Sequence, residues 1–216
     1  MSLGMREMSM LLGWLLLLTQ TVPADPAGYF PASFSVPVPR CRWNGKVDSA
    51  PTLSDIERRW YGSMLRAAKE PSLSAADVRS KTVVRFTWLR SFHAPILVRA
   101  EGLGSAAPKL VASRLSGQGG YGPGDIEQHI DRPLSADEAA TLQAALAEAA
   151  LFPPRKPGAP LPECAPFGMD GAEWLIEVAD SSGYHFTKRW SPERGGVRSV
   201  GLAMLKLTGW KVQPIY

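Results

Sequence analysis

Cysteine and histidine are scarce in this chain, at two and three of 216 residues. The cysteines, Cys41 and Cys164, stand far apart with no CxxC spacing, which excludes a zinc knuckle and a thioredoxin-like redox pair. His93, His129 and His185 lie on different segments with no HxH or HExxH spacing, so we expect no metal and no cofactor. Runs of one charge are missing as well. Lys and Arg total 24 against 20 Asp and Glu, a net charge of +4, yet no five basic residues stand together. That spread favours solubility and weak attraction to anionic surfaces, and it argues against nucleic acid as a partner. Ser116 and Ser191 lack the GxSxG context of a serine hydrolase. The glycine-rich loop at 117–124 lacks the Lys and Ser/Thr of a phosphate-binding loop. No repeat of fixed period is present.

What is there begins with a leader. Arg6 precedes the apolar run Met8–Leu18, and Val22 and Ala24 are small residues at the expected −3 and −1 positions of a cleavage site. This is the pattern of a secretory signal peptide over residues 1–24. The run is shorter than the roughly 20 residues that a membrane-spanning helix needs. Cys41 lies well beyond the cleavage region, which argues against a lipid-modified N-terminus. The expected location is periplasmic or secreted, with no integral membrane segment after cleavage. In an oxidising compartment Cys41 and Cys164 are expected to pair.

Residues 25–50, rich in Pro, Ala and Ser, read as an extended N-terminal arm, and residues 51–216 as one domain. Ser54-Asp-Ile-Glu57 and Ser135-Ala-Asp-Glu138 are capping boxes, each opening an amphipathic helix. Ile56, Trp60, Met64 and Ala68 form the apolar stripe of the first, with Tyr61 and Leu65 beside it; Leu142 and Leu146 belong to the stripe of the second. A last helix runs through Val200, Met204 and Leu207 and ends at Gly209. Between them, 83–90, 96–101, 109–115 and 125–130 read as strands. Six prolines within 153–166 make that stretch an extended connector. The fold class is α+β: an antiparallel sheet of about five or six strands with two or three helices packed on one face.

Two strands at 172–190 form a hairpin about Asp180-Ser-Ser-Gly183. A type I turn with a glycine bulge pairs Asp180 with Tyr184. In that register Trp174, Ile176, Val178 and Phe186 face the helices. Glu177, His185 and Arg189 share the other, solvated face, where Glu177 could serve as a base and Arg189 as an anion contact. They are the candidate catalytic residues, with a plain surface ion pair as the competing explanation. Arg85, Arg90 and Arg99 on the sheet and Tyr121 in the glycine-rich loop are the candidate binding residues.

Three segments carry a family resemblance: Val84-Arg-Phe-Thr-Trp-Leu-Arg-Ser-Phe-His-Ala-Pro95, the Gly-Gly-Tyr121 loop, and the block from Asp170-Gly-Ala-Glu-Trp through Arg-Trp-Ser-Pro192. In their order they resemble a group of uncharacterised exported bacterial proteins, over roughly residues 55–210. The resemblance implies a shared fold and a Gram-negative source. It brings no activity and no site residues. The expected function is a non-catalytic binding module for a protein or envelope component. A small hydrolase using Glu177, His185 and Arg189, or a structural envelope protein, are the alternatives.

Overall fold

The computed structural model describes residues 22–75, 81–153, 156, 158–164, 168 and 170–216. Residues 1–21 of the expected leader lie outside the described residues. The described chain runs through two single-turn 3-10 helices, Pro26–Tyr29 and Ala32–Ser35. Then come β1 (Val38–Trp43), β2 (Lys46–Ala50), α1 (Asp55–Ala67), β3 (Thr82–Arg90), β4 (Ile96–Leu103), β5 (Lys109–Leu115) and β6 (Ile126–Pro133). α2 (Ala136–Ala149), β7 (Ala172–Asp180), β8 (Gly183–Trp190) and α3 (Gly196–Thr208) complete it. No helix among the described residues is long and apolar enough to cross a membrane.

Six strands form one antiparallel sheet in the order β6-β5-β4-β3-β7-β8, which is the α+β architecture expected. The helices do not all lie on one face. Val84, Phe86, Trp88, Val98, Trp174 and Ile176 pack beneath α2 and α3. Leu89, Leu97, Leu115 and Leu175, which alternate with them, pack instead beneath α1 and the N-terminal arm. The central strands are therefore covered on both sides. Each fully buried Val, Ile, Leu or Phe there contributes about 1.5–3 kcal/mol relative to leaving it exposed.

Both capping boxes form as read. Ser54 Oγ accepts from the Glu57 amide at 3.2 Å, and Glu57 Oε2 accepts from the Ser54 amide at 2.8 Å. Ser135 and Glu138 repeat the pattern. Glu138 also accepts two bonds from Arg132, at 2.9 and 2.7 Å, and this pairing, with the cap, holds its carboxyl down at about 2. α1 buries Tyr61, Met64 and Leu65, whereas Ile56 at its start is exposed.

The hairpin register differs from expectation by one residue. The loop is the two-residue Ser181-Ser182, and Asp180 pairs with Gly183 rather than Tyr184. Asp180 Oδ1 accepts from the Ser182 amide at 2.7 Å and from its hydroxyl at 2.6 Å, which tightens the turn. Because strand side chains alternate, that single step exchanges the faces of β8. Phe186 comes to lie opposite Glu177, under the arm, and His185 and Arg189 come to lie opposite Val178 and Trp174. The observed register gives each inward group of β8 a partner: Tyr184 reaches Glu177, and Lys188 reaches Glu57.

The arm is not simply extended. After the two 3-10 turns, β1 and β2 form a hairpin through Asn44-Gly45, both at positive φ (49° and 78°), a backbone that suits an Asn-Gly type I′ turn. A Cys41–Cys164 disulfide fastens β1, at the Cys41–Asp48 pair, to the connector, as the sequence leads one to expect. Arg42 ties β1 to the connector as well: its amide donates to Pro162 O at 2.8 Å, its carbonyl accepts from the Cys164 amide at 3.2 Å, and its side-chain Nε donates to Leu161 O at 3.1 Å.

Candidate functional site

The candidate catalytic residues do not assemble. Glu177 points toward α1 and the arm, while His185 and Arg189 lie on the other face of the sheet. Glu177 is 1% exposed. Its Oε1 accepts from Arg85 Nη2 at 2.6 Å and from the Tyr184 hydroxyl at 2.9 Å, and its Oε2 accepts from Arg85 Nε at 2.7 Å. This carboxylate is a hydrogen-bonded structural anchor, not a base open to solvent. His185 Nε2 meets the Ser182 hydroxyl at 2.9 Å, and its ring lies against Phe152. Arg189 is exposed and bonds the Lys188 carbonyl.

Two of the three candidate binding arginines belong to the same buried network. Arg85 is 0% exposed. It donates to the Pro71 carbonyl at 2.6 Å and lies 3.4 Å from Glu70 Oε2. Arg99 donates to that same oxygen at 2.6 Å and pairs with Glu101. Burial alone disfavours the Arg85 charge, but Glu177 and then Glu70 outweigh it, and the guanidinium is held above its ordinary range. Burial pushes the Tyr29 phenol, beside Glu70, up to about 12. Arg90 has the opposite parity along β3 and faces the other side of the sheet. It stacks over the Trp88 ring at 4.4 Å and bonds the Ala94 carbonyl, and burial lowers it to about 10. None of these arginines can meet a partner in the folded chain. A strand pattern marks them as surface groups, because in it a buried guanidinium and a solvated one look alike.

Tyr121 is the candidate binding residue that does face solvent, at 67% exposure. It sits at the tip of the 116–125 loop, whose arms bond each other from Ser116–Asp125 to Gln118–Gly122. Phe92, from the β3–β4 loop and 51% exposed, lies beside it with ring centroids 6.3 Å apart. The two loops are locked together. The Gly119 amide donates to His93 O at 2.9 Å, and the Trp60 indole donates to Gly119 O at 2.8 Å. A Cβ on Gly119 would stand 2.6 Å from the Arg90 amide nitrogen. Gly119→Ala is therefore expected to displace the Tyr121 tip and to lower the urea midpoint, at a cost of about 1–3 kcal/mol.

Below the aromatic pair a cleft of about 440 Å³ is lined by Phe92, His93, Asp170, Gly171, Ser191 and Tyr216. His93 Nδ1 and the Tyr216 hydroxyl are 2.7 Å apart. Ser191, at φ 35°, accepts from the Ala172 amide at 2.8 Å. Each hydroxyl is thus committed to a neighbour, and among the described residues no hydrogen bond joins Ser191 to His93 as a nucleophile to its base. The exposed lining of the cleft is mostly apolar, framed by the Phe92 and Tyr216 rings. His129 is distant in topology, on the edge strand β6, where it meets Ser113 Oγ, so the three histidines do not converge. The cysteine–carboxylate cluster of Cys41, Asp48 and Cys164 has its sulfurs joined to each other.

Sequence reading finds Tyr121 but misses Phe92, Asp170 and Tyr216, which come together only through the fold. Comparison with protein-family models, curated proteins and solved structures returned no match.

Proposed function

We propose that this chain is an exported, non-catalytic binding module that engages a protein or envelope component through the loop end carrying Phe92 and Tyr121. The observation that carries this reading is the pair of neighbouring, half-exposed or more exposed aromatic rings on loops fixed by hydrogen bonds. Aromatic side chains exposed on a rigid frame are enriched at contact surfaces, because they bury much area for little lost conformational freedom. The cleft beside them, apolar over most of its exposed lining, adds surface that a partner side chain can bury. The Cys41–Cys164 bridge supports an oxidising compartment, as does the leader pattern.

The test compares the wild-type chain with a Phe92→Ala/Tyr121→Ala variant as baits for envelope extract. The variant is expected to recover the specific partner at least about tenfold less, since truncated hot-spot aromatics cost about 2 kcal/mol or more. Its stability to urea should fall by no more than about 1 kcal/mol, because both rings are at least half exposed. Equal recovery by the two baits would refute the reading, and so would no specific recovery by either.

A further inference from the structure

β1 and β2 stand apart from the main sheet, and residues 42–49 are all exposed. Trp43 is 59% exposed and Val47 56%, with Val36 and Val38 also open to solvent. A two-stranded ribbon of this size is marginally stable alone and buries no core for the domain. It is nonetheless stapled by the chain's disulfide. The outer edge of β1 is occupied by the connector, through the Arg42 backbone. β2 has no strand on its outer edge among the described residues.

The direction of the open backbone groups follows from the pairing. Arg42 and Val47 are opposite each other. Arg42 spends its N–H and C=O on Pro162 and Cys164, away from β2. In an antiparallel ladder a residue that does not exchange bonds with its opposite number faces one that does not either. The Val47 N–H and C=O therefore point outward, from the free edge. Edges of this kind are templates for another strand unless something blunts them.

Lys46-Val47-Asp48 is complementary to itself. When a second β2 lies antiparallel to the first and centred on Val47, Val47 meets Val47 of the other copy and the two exchange both backbone bonds. Lys46 then lies opposite Asp48, and Asp48 opposite Lys46. Both charge pairs are satisfied by one two-fold axis, and two exposed valines cover each other. On the other face of the ribbon, Trp43 sits opposite Lys46, so its ring flanks the charged seam.

We propose that the outer edge of β2 is a self-association seam, joining two copies of this chain into a continuous four-stranded ribbon, β1-β2-β2-β1. This is a separate surface from the Phe92–Tyr121 end and does not depend on it. A single strand pair is smaller than a standard interface, so the dimer is weak and concentration-dependent.

Sedimentation equilibrium on the full chain over a wide concentration range tests the seam. The wild type is expected to dimerise reversibly. Lys46→Asp sets an introduced carboxylate against Asp48 at both ends of the seam. Asp48→Lys sets an introduced ammonium against Lys46 in the same two places. Each is expected to raise the dimer Kd about tenfold or more, from two opposite-charge pairs becoming two like-charge pairs. The charge-swapped double variant, Lys46→Asp/Asp48→Lys, restores both pairs and should return the Kd to near the wild-type value. Recovery in the double variant cannot come from damage to the fold. A chain that stays monomeric throughout, single variants that leave the Kd unchanged, or a double variant no better than the singles would each overturn the proposal. The free edge would then belong to a strand of some other protein.

Discussion

Glu177→Ala is expected to cost about 3–5 kcal/mol of stability, because it strands a guanidinium in the protein interior with its main partner gone. Arg85 is fully buried and holds Glu177 through two parallel bonds of 2.7 and 2.6 Å. Tyr184 would lose its acceptor in the same step. For a chain of this size the melting midpoint should fall on the order of 10 °C. The cost reflects an orphaned charge more than the net worth of the pair. Hence the double variant Arg85→Met/Glu177→Leu should be less destabilised than Glu177→Ala, since it leaves Glu70 paired to Arg99 and fills the space with apolar volume. Urea unfolding of the wild type, Arg85→Met, Glu177→Leu and the double closes the cycle. Additive losses, or a Glu177→Ala midpoint equal to the wild type's, would contradict the structural role assigned to this pair.

Removing the disulfide is expected to have an effect of similar size. The bridge joins residues 123 positions apart. For a loop of that length the chain-entropy model assigns about 4–5 kcal/mol, a model-dependent upper figure. Part of it should appear locally, because a two-stranded ribbon released from its staple is marginal alone. In the Cys41→Ser/Cys164→Ser variant, β1 and β2 amides should lose hydrogen-exchange protection well before those of β3 and β7. Ribbon amides that stay protected to the same degree would show that the strand pairing and the connector hold this ribbon without the bridge.

The parts of the fold that are legible in the sequence are those set by local chemistry. The two capping boxes are spelled out by Ser54 and Glu57 and by Ser135 and Glu138, and both form. Alternation along Val84, Phe86 and Trp88 marks one buried face correctly. The same alternation misleads on the other face, where Arg85 and Thr87 are buried too. Arg85 is matched by Glu177, 92 residues away, and by Glu70, and no local pattern announces that match. The Asp180–Gly183 turn admits two loop lengths with similar residues, and the longer one puts His185 and Arg189 on the wrong face. Asn44-Gly45 is a strong turn signal, but the surrounding prolines mask it by suggesting an extended arm. At the loop end, Tyr121 is visible as an aromatic residue in a glycine-rich loop, but its pairing with Phe92 depends on two loops meeting.

Glu177 and Glu70 are sealed in the interior with Arg85 and Arg99, and the proposed binding surface lies elsewhere, on exposed groups. Carbodiimide labelling of carboxylates in the native chain, read residue by residue by mass spectrometry, tests this directly. Glu177 and Glu70 are expected to remain unlabelled in the folded state and to react once the chain is unfolded. Asp55 and Glu163, each with side chains 77% exposed, should label readily from the start. Labelling of Glu177 in the native chain at a rate like that of Asp55 would place it in contact with water, and the sealed network described here would be wrong.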